Sequence, residues 1–296
     1  LAEALLAPLL AADGSTREEI AERFETALGD AARLRPDDPD IAWLEAMRCP
    51  PASKNCDRAS GLQRLMHLDP GNAAVWLEAA ERALQDDYMA AFDEYLHLAA
   101  QSSDYHSRYG KGTELLAGIL GSAPLPARSP QIDQALRKMA GLGPGPVLSD
   151  ADLAIVLATI HDHSILDLPA LGPMYRGCRL PLPASRRRDC TGAAVRMAEG
   201  DTLLAQLFGI SKMVTLSAGT PANRHWRERL RQAQWMSSAR TPRPVRAGPD
   251  YVRDLWQLGE VPALQTWLKA NNHAMPPGWL PDDPRERDRI TLGPSG

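Results

Sequence analysis

A chain of 296 residues, 44% hydrophobic and 24% charged, has ordinary globular composition and can bury a sizeable core. Its formal net charge of -4 gives no general attraction to nucleic acid or an anionic membrane, and no nucleic-acid partner is expected. The longest apolar run, Leu153 to Ile160, is too short to cross a bilayer, so no transmembrane segment is expected.

The apolar periodicity is helical almost throughout. Ser15, Thr16, Arg17 and Glu18 read as a capping box before a helix from about residue 16 to 33, with Ile20, Phe24 and Leu28 four apart. Pro36 and Pro39 interrupt the chain, and a helix carrying Ile41 to Met47 follows. Cys49, two prolines and Cys56 form a turn. The next helix has Ala59, Leu62, Leu65 and Met66 on one side. Asp69-Pro70-Gly71-Asn72 stops it, and Asn72 is a good N-cap for the next. That helix has Trp76, Ala80 and Ala83 on one stripe. Its successor carries Tyr88, Phe92, Tyr95, Leu96 and Ala99.

Beyond Gly121 the pattern is less regular. Residues 122–130 and 141–146 read as loops around a short helix with Ile132, Leu136 and Met139. A buried helix is expected from Asp150 to about Ile160. Residues 168–189 are Pro-rich. Helices are expected at Asp189–Ala198, Thr202–Ile210 and Pro221–Met236, then, after a loop at 241–249, at Tyr251–Leu258 and Val261–Ala270. From Pro276 onward, charge and proline predict an extended or disordered tail. No alternating β-branched runs are present, so no strands are expected.

Residues 36–100 contain an echo. Pro36 and Pro70 are 34 residues apart, and Trp43 and Trp76 are 33 apart. With Trp76 as anchor, Ala80 and Ala99 fall on small-residue positions, and Pro70 on the proline that ends a repeat. This resembles the tetratricopeptide repeat family. Ala83 stands where that family has a large aromatic, and Phe92 where it has a small residue. In the looser first copy, Ala59 is the best match once Trp43 sets the register. The resemblance implies antiparallel helix pairs that stack to bury their apolar faces.

The four cysteines form two local pairs, Cys49 with Cys56 and Cys178 with Cys190. Each closes a short Pro-containing loop, and no CxxC is present. Two structural disulfides are expected, hence an oxidising compartment. The first would staple a helix pair where packing is thinnest. The chain begins with Leu1, which leaves natural processing and trimming both open. Ala-, Arg- and Leu-rich usage fits a high-GC bacterium, so the expected location is periplasmic or secreted.

No catalytic set emerges. His161-Asp162-His163 is the densest group of metal-type ligands, with His97, His106 and Asp167 as conceivable partners. It supports an alternative reading as a metal-dependent hydrolase, against the reading that these residues cap a helix end. No GxSxG is present, and the prolines of GLGPGP remove donors that a phosphate cradle needs. No cofactor is implied. Arg186-Arg187-Arg188 lies inside the second cysteine loop. Arg224, Arg227, Arg229 and Arg231 are read as a solvated face behind a core stripe of Trp226, Leu230, Ala233 and Met236.

The expected fold is all-α, with antiparallel helix pairs. A tetratricopeptide-like α-solenoid over residues 1–121 continues into irregular helical pairs over 122–275, with the tail at 276–296. One curved body is expected. The expected function is non-catalytic protein binding, as an adaptor or scaffold or as a neutraliser of a secreted protein. Candidate contact residues are Tyr88, Tyr95, Tyr105 and Tyr109, with Arg186, Arg187 and Arg188.

Overall fold

The computed structural model describes residues 16–122, 128–162, 170–239 and 248–292. These form helices α1 (Arg17–Leu34), α2 (Pro39–Arg48), α3 (Arg58–Leu68), α4 (Ala73–Gln85), α5 (Met89–Gln101), α6 (Lys111–Ser122), α7 (Pro130–Met139) and α8 (Asp150–Asp162). A π-helical turn (Pro173–Gly177) follows, then α9 (Ala184–Ala198), α10 (Leu203–Leu216), α11 (Ala222–Ser238), α12 (Pro249–Leu258), α13 (Glu260–Ala270) and α14 (Pro284–Thr291). No strand occurs among the described residues. An isolated bridge joins Asn72 to Asp104.

The chain divides into two compact units. Unit 1 holds Leu1–Leu68, Arg108–Asp167 and Pro242–Leu258. Unit 2 holds Asp69–Ser107, Leu168–Thr241 and Gly259–Gly296. Residue 121, where the sequence reading ends its first region, lies inside unit 1. The two copies of the echo fall in different units, α2 and α3 in the first, α4 and α5 in the second.

In unit 1, α2 pairs with α3, α6 with α8, and α1 lies on α2. The capping box that starts α1 sits one residue later than expected: Thr16 accepts from the Glu19 N–H, and Glu19 reaches back to the Thr16 N–H. Leu28 and Ala27 pack on Leu44, with Phe24 at the margin. Leu116, Ala117, Ile155, Ala158 and Val252 form another core. Glu45 is buried inside the α2–α3 pair. It accepts from the Asp57 N–H at 3.1 Å and pairs with Arg64, so it joins α2 to both the start and the body of α3. Gly61, not Ala59, makes the close approach of α3 to α2. A Cβ on Gly61 would lie 2.7 Å from the Ala46 nitrogen, whereas Ala59 is exposed.

In unit 2, α4 pairs with α5, α5 with α9, α9 with α10, and α10 with α11. Asn72 caps α4 as expected and is fully buried. Its carbonyl accepts from the Ala74 and His106 N–H groups, and its amide donates to the His106 carbonyl at 2.9 Å. One side chain thus fixes the start of α4 and the loop after α5. The stripe Trp76, Ala80 and Ala83 is buried, as are Phe92, Leu96 and Ala99. The Phe92 ring is accommodated because Gly177 faces it. A Cβ on Gly177 would stand 2.1 Å from the ring tip.

Two local expectations are corrected. The segment after Pro276 contains helix α14. Asp283 accepts from the Arg285 N–H at 2.8 Å, Pro284 opens the helix, and Ile290 is buried. Arg227 of α11 donates to the Ile290 and Thr291 carbonyls at its end. Next, α9 begins at Ala184, not Asp189, so Arg186–Arg188 lie on its first turns rather than in a loop.

Candidate functional site

The cysteines pair as expected. Cys49–Cys56 lies in unit 1 and Cys178–Cys190 in unit 2, with Cα atoms 5.9 and 5.7 Å apart. All four are buried. Ser53, inside the first loop, donates to Glu25 of α1 at 2.7 Å, so the stapled turn is held from outside as well. The second disulfide ties the π turn to α9.

The other candidates scatter. Tyr88 is exposed, whereas Tyr105 is buried. Tyr95 stacks on Trp76 with ring centroids 6.2 Å apart. Tyr109 belongs to unit 1, unlike the other three. Arg186 makes two hydrogen bonds to Asp93, at 2.7 and 2.8 Å, and lies 5.6 Å over the Phe92 ring, which pins α9 to α5. Arg187 and Arg188 are exposed. Among the described residues, no three His, Cys, Asp or Glu side chains stand close enough to hold a metal ion. His163 and the side chains of His161 and Asp162 lie outside that description. His97 is engaged with Asp189 at 3.2 Å, and His97 and His106 belong to unit 2 while His161 belongs to unit 1.

Of the four arginines of α11, Arg224 is exposed as expected, and the other three are half-buried. The stripe Trp226, Leu230, Ala233 and Met236 is buried as expected. Arg229, however, donates to the Ala198 carbonyl at 2.6 Å and lies 5.0 Å over the Trp226 ring. Arg231 pairs with Glu228, and Arg227 holds α14. The guanidiniums of Arg227, Arg229 and Arg231 bind carbonyls and carboxylates of the chain itself.

Among the described residues of unit 2, two concavities bear on function. The first, about 370 Å³, is lined by the π turn, α10, α11 and α14. Met174 forms its buried base, and Leu204, Leu207 and the T-shaped pair Tyr175–Phe208, centroids 5.5 Å apart, supply apolar walls. Ser211, Lys212, Thr215, Gln234, Glu286 and Arg289 supply polar groups. Lys212 donates to the Cys178 carbonyl at 3.2 Å. Burial, with Arg289 nearby, pushes the lysine's proton affinity down. Arg289 pairs with Glu286, which also accepts from Gln234 at 3.0 Å. The Thr215 hydroxyl donates to the Ser211 carbonyl. That geometry sets polar and charged groups beside an apolar wall.

The second, about 520 Å³, lies along α11, α13 and residues 271–275. Its floor is Met236 and Leu268, and its walls are Trp235 and Met275. Gln232, Gln265, Asn272 and the cation Lys269 surround them, and no carboxylate lines it. His273 stacks on Trp267, rings 5.7 Å apart, which shapes the segment that closes one end.

A partly buried polar junction joins three segments of unit 2. Asp201 accepts from the Ser107 N–H at 3.0 and 3.1 Å, and its backbone carbonyl accepts from the Glu260 N–H at 2.9 Å. Glu260 accepts from the Leu203 N–H at 2.8 Å, holding the start of α10. Burial raises the proton affinity of both carboxyls, and the Asp201 charge adds to the effect on Glu260. Burial also pushes the Tyr105 phenol up, as do the charges of Asp201 and Glu78. Asp201 and Glu260 thus hold backbone N–H groups at an electrostatic cost.

The sign of the pH effect follows. A carboxyl that holds its proton more tightly when folded favours folding in acid, and loses that contribution as pH rises through its folded value. Glu260→Gln keeps an acceptor for the Leu203 N–H and removes the charge. Wild type should therefore lose stability relative to Glu260→Gln as pH rises from about 4. Denaturant titrations of both proteins across that range check this. A stability difference independent of pH would count against it.

No protein-family model matches the chain, and neither do curated proteins or solved structures at a significant level. Among the described residues, no helix is long and apolar enough to cross a membrane.

Proposed function

We propose that the chain is a non-catalytic protein-binding module of a bacterial envelope compartment, periplasmic or secreted, built from tetratricopeptide-like helix pairs. One observation carries the reading: the groove walled by Trp235, Met236, Leu268 and Met275 with Lys269 at its rim. Methionine and tryptophan surfaces adapt to varied apolar side chains. The cation without a carboxylate beside it in the lining selects for acidic neighbours. The occupant is therefore a protein segment that presents apolar side chains flanked by Asp or Glu. Two buried disulfides support an oxidising location. An adaptor or scaffold and a neutraliser of a secreted protein are both roles for such a groove, and the partner's identity separates them.

The test is capture from envelope extract with oxidised wild-type, Trp235→Glu and Lys269→Glu baits. Trp235→Glu places a charge on the groove wall, and Lys269→Glu reverses the rim. A partner held by wild type should be lost by the first and weakened at least about tenfold by the second. A partner held equally by all three baits would exclude this groove.

A further inference from the structure

The cavity between the π turn, α10, α11 and α14 has a charge and shape that the protein-binding reading leaves unused. Glu286 and Arg289 face each other there as an ion pair, and Gln234 donates to Glu286 Oε2, which Arg289 also reaches. Lys212 is the remaining charged side chain of the lining, and its ammonium donates to a neutral carbonyl, that of Cys178. The lining therefore carries one uncompensated positive charge. It sits beside an aromatic pair, Tyr175 and Phe208, above the buried Met174. The volume, about 370 Å³, falls within the range of small-ligand sites, roughly 300–1,000 Å³.

We propose that this cavity binds a monoanionic ligand: a single carboxylate attached to an apolar or aromatic body. Lys212 meets the carboxylate, with the Ser211 hydroxyl beside it on the same helix. Tyr175, Phe208, Leu204 and Leu207 take the body. One net charge in the lining matches a carboxylate better than a phosphate monoester, which carries between one and two negative charges near neutrality. The Cys178–Cys190 bridge contributes indirectly. It fixes the end of the turn that carries Met174 and Tyr175 and the carbonyl that holds Lys212. The proposal does not rest on the groove between α11 and α13.

Two sources offer this chemistry, a free aromatic or aliphatic acid and the C-terminal carboxylate of a peptide ending in an apolar residue. Calorimetric or ligand-observed NMR titration of the oxidised protein uses 3-phenylpropionate, its uncharged amide, acetate, and a short peptide ending in phenylalanine with a free or an amidated terminus. The acid or the free-terminus peptide should bind saturably with Kd of about 1 mM or tighter. The matching amide should bind at least about tenfold more weakly, since a hydrogen bond to a charged group is typically worth that much. Acetate, lacking the body, should not saturate. Lys212→Met should weaken the acid at least about tenfold, leave the amide unchanged and not lower the melting temperature. A peptide that binds more tightly than the free acid identifies a polypeptide terminus as the source, and the reverse identifies a small acid. No saturable binding by either acid up to about 10 mM, equal binding of acid and amide, or an unchanged Kd in Lys212→Met would each overturn the proposal. The acid and amide comparison needs no variant to fold.

Discussion

Gly209→Ala should destabilise unit 2 by about 2 kcal/mol or more, although alanine is the better helix former. Gly209 lies within α10 where that helix meets α9. A Cβ there would stand 2.3 Å from the Ala198 nitrogen and 2.6 Å from the Ala194 carbonyl oxygen. Both are backbone atoms of the facing helix, so a side-chain rotation cannot relieve the clash. The two helices must separate, and α9 and α10 bury Ala194, Met197, Ile210 and Val214 between them and their neighbours. Overpacking of this kind costs roughly 1–3 kcal/mol and sometimes more. Replacing glycine in a helix interior returns only about 1 kcal/mol. The clash therefore wins because nothing in its path can move alone. Gly118 of α6 is the control, since nothing lies within 4 Å of its Cβ position. Gly118→Ala should stabilise by roughly 0.5–1 kcal/mol. Denaturant unfolding of the two variants checks both signs. A Gly209→Ala protein as stable as wild type would mean that α9 and α10 do not approach this closely.

Removing either disulfide should cost about 2.5–3 kcal/mol in the unit that holds it, by the loop-entropy relation for closed loops of this size. The sequence separations are 7 for Cys49–Cys56 and 12 for Cys178–Cys190. The bridges differ in what they hold. Cys49–Cys56 closes the turn between α2 and α3, which Ser53 also anchors to α1. Cys178–Cys190 holds the π turn on α9, and Gly177 of that turn packs against Phe92. Because the helices themselves contain most of the buried surface, paired Cys→Ala variants should keep their helical circular dichroism in the cold and melt at lower temperature. Cys49→Ala with Cys56→Ala should lower the transition of unit 1. The pair at 178 and 190 should lower that of unit 2. Thermal melts followed by circular dichroism test this, and unchanged melting temperatures would show that packing alone holds both turns.

The helices were legible because their signals are local. Asn72 reads as an N-cap from its own position, and Trp226, Leu230, Ala233 and Met236 read as one stripe from their spacing. Both pairs of cysteines are close in sequence, so their pairing was legible too. The division into two units was not. It depends on segments more than a hundred residues apart meeting in space, such as Arg253 with Asp152 in unit 1. Arg227 and Arg229 looked solvent-facing because periodicity follows where a Cα points. It does not follow a long guanidinium that bends to the Thr291 or Ala198 carbonyl. The α14 signal was present in Asp283-Pro284, an N-cap before a helix-opening proline, but the surrounding charge outweighed it. Glu45 and Glu78 also had a signal, a glutamate inside the same apolar Trp-Leu-Glu-Ala run of each copy. Both prove buried. The ligand-sized cavity had none, because its lining runs from Met174 to Arg289, and α10 continues past Ile210 to carry Lys212.

The most direct measurement is hydrogen–deuterium exchange on the complex with the captured envelope partner, compared with the free chain. Binding through the groove predicts slowed exchange concentrated at residues 232–236 and 265–275, with residues 86–88 and 186–188 unchanged. Slowed exchange around Tyr88 and Arg186–Arg188, with the groove exchanging as in the free chain, would contradict it and return the interface to the surface that the sequence alone suggested.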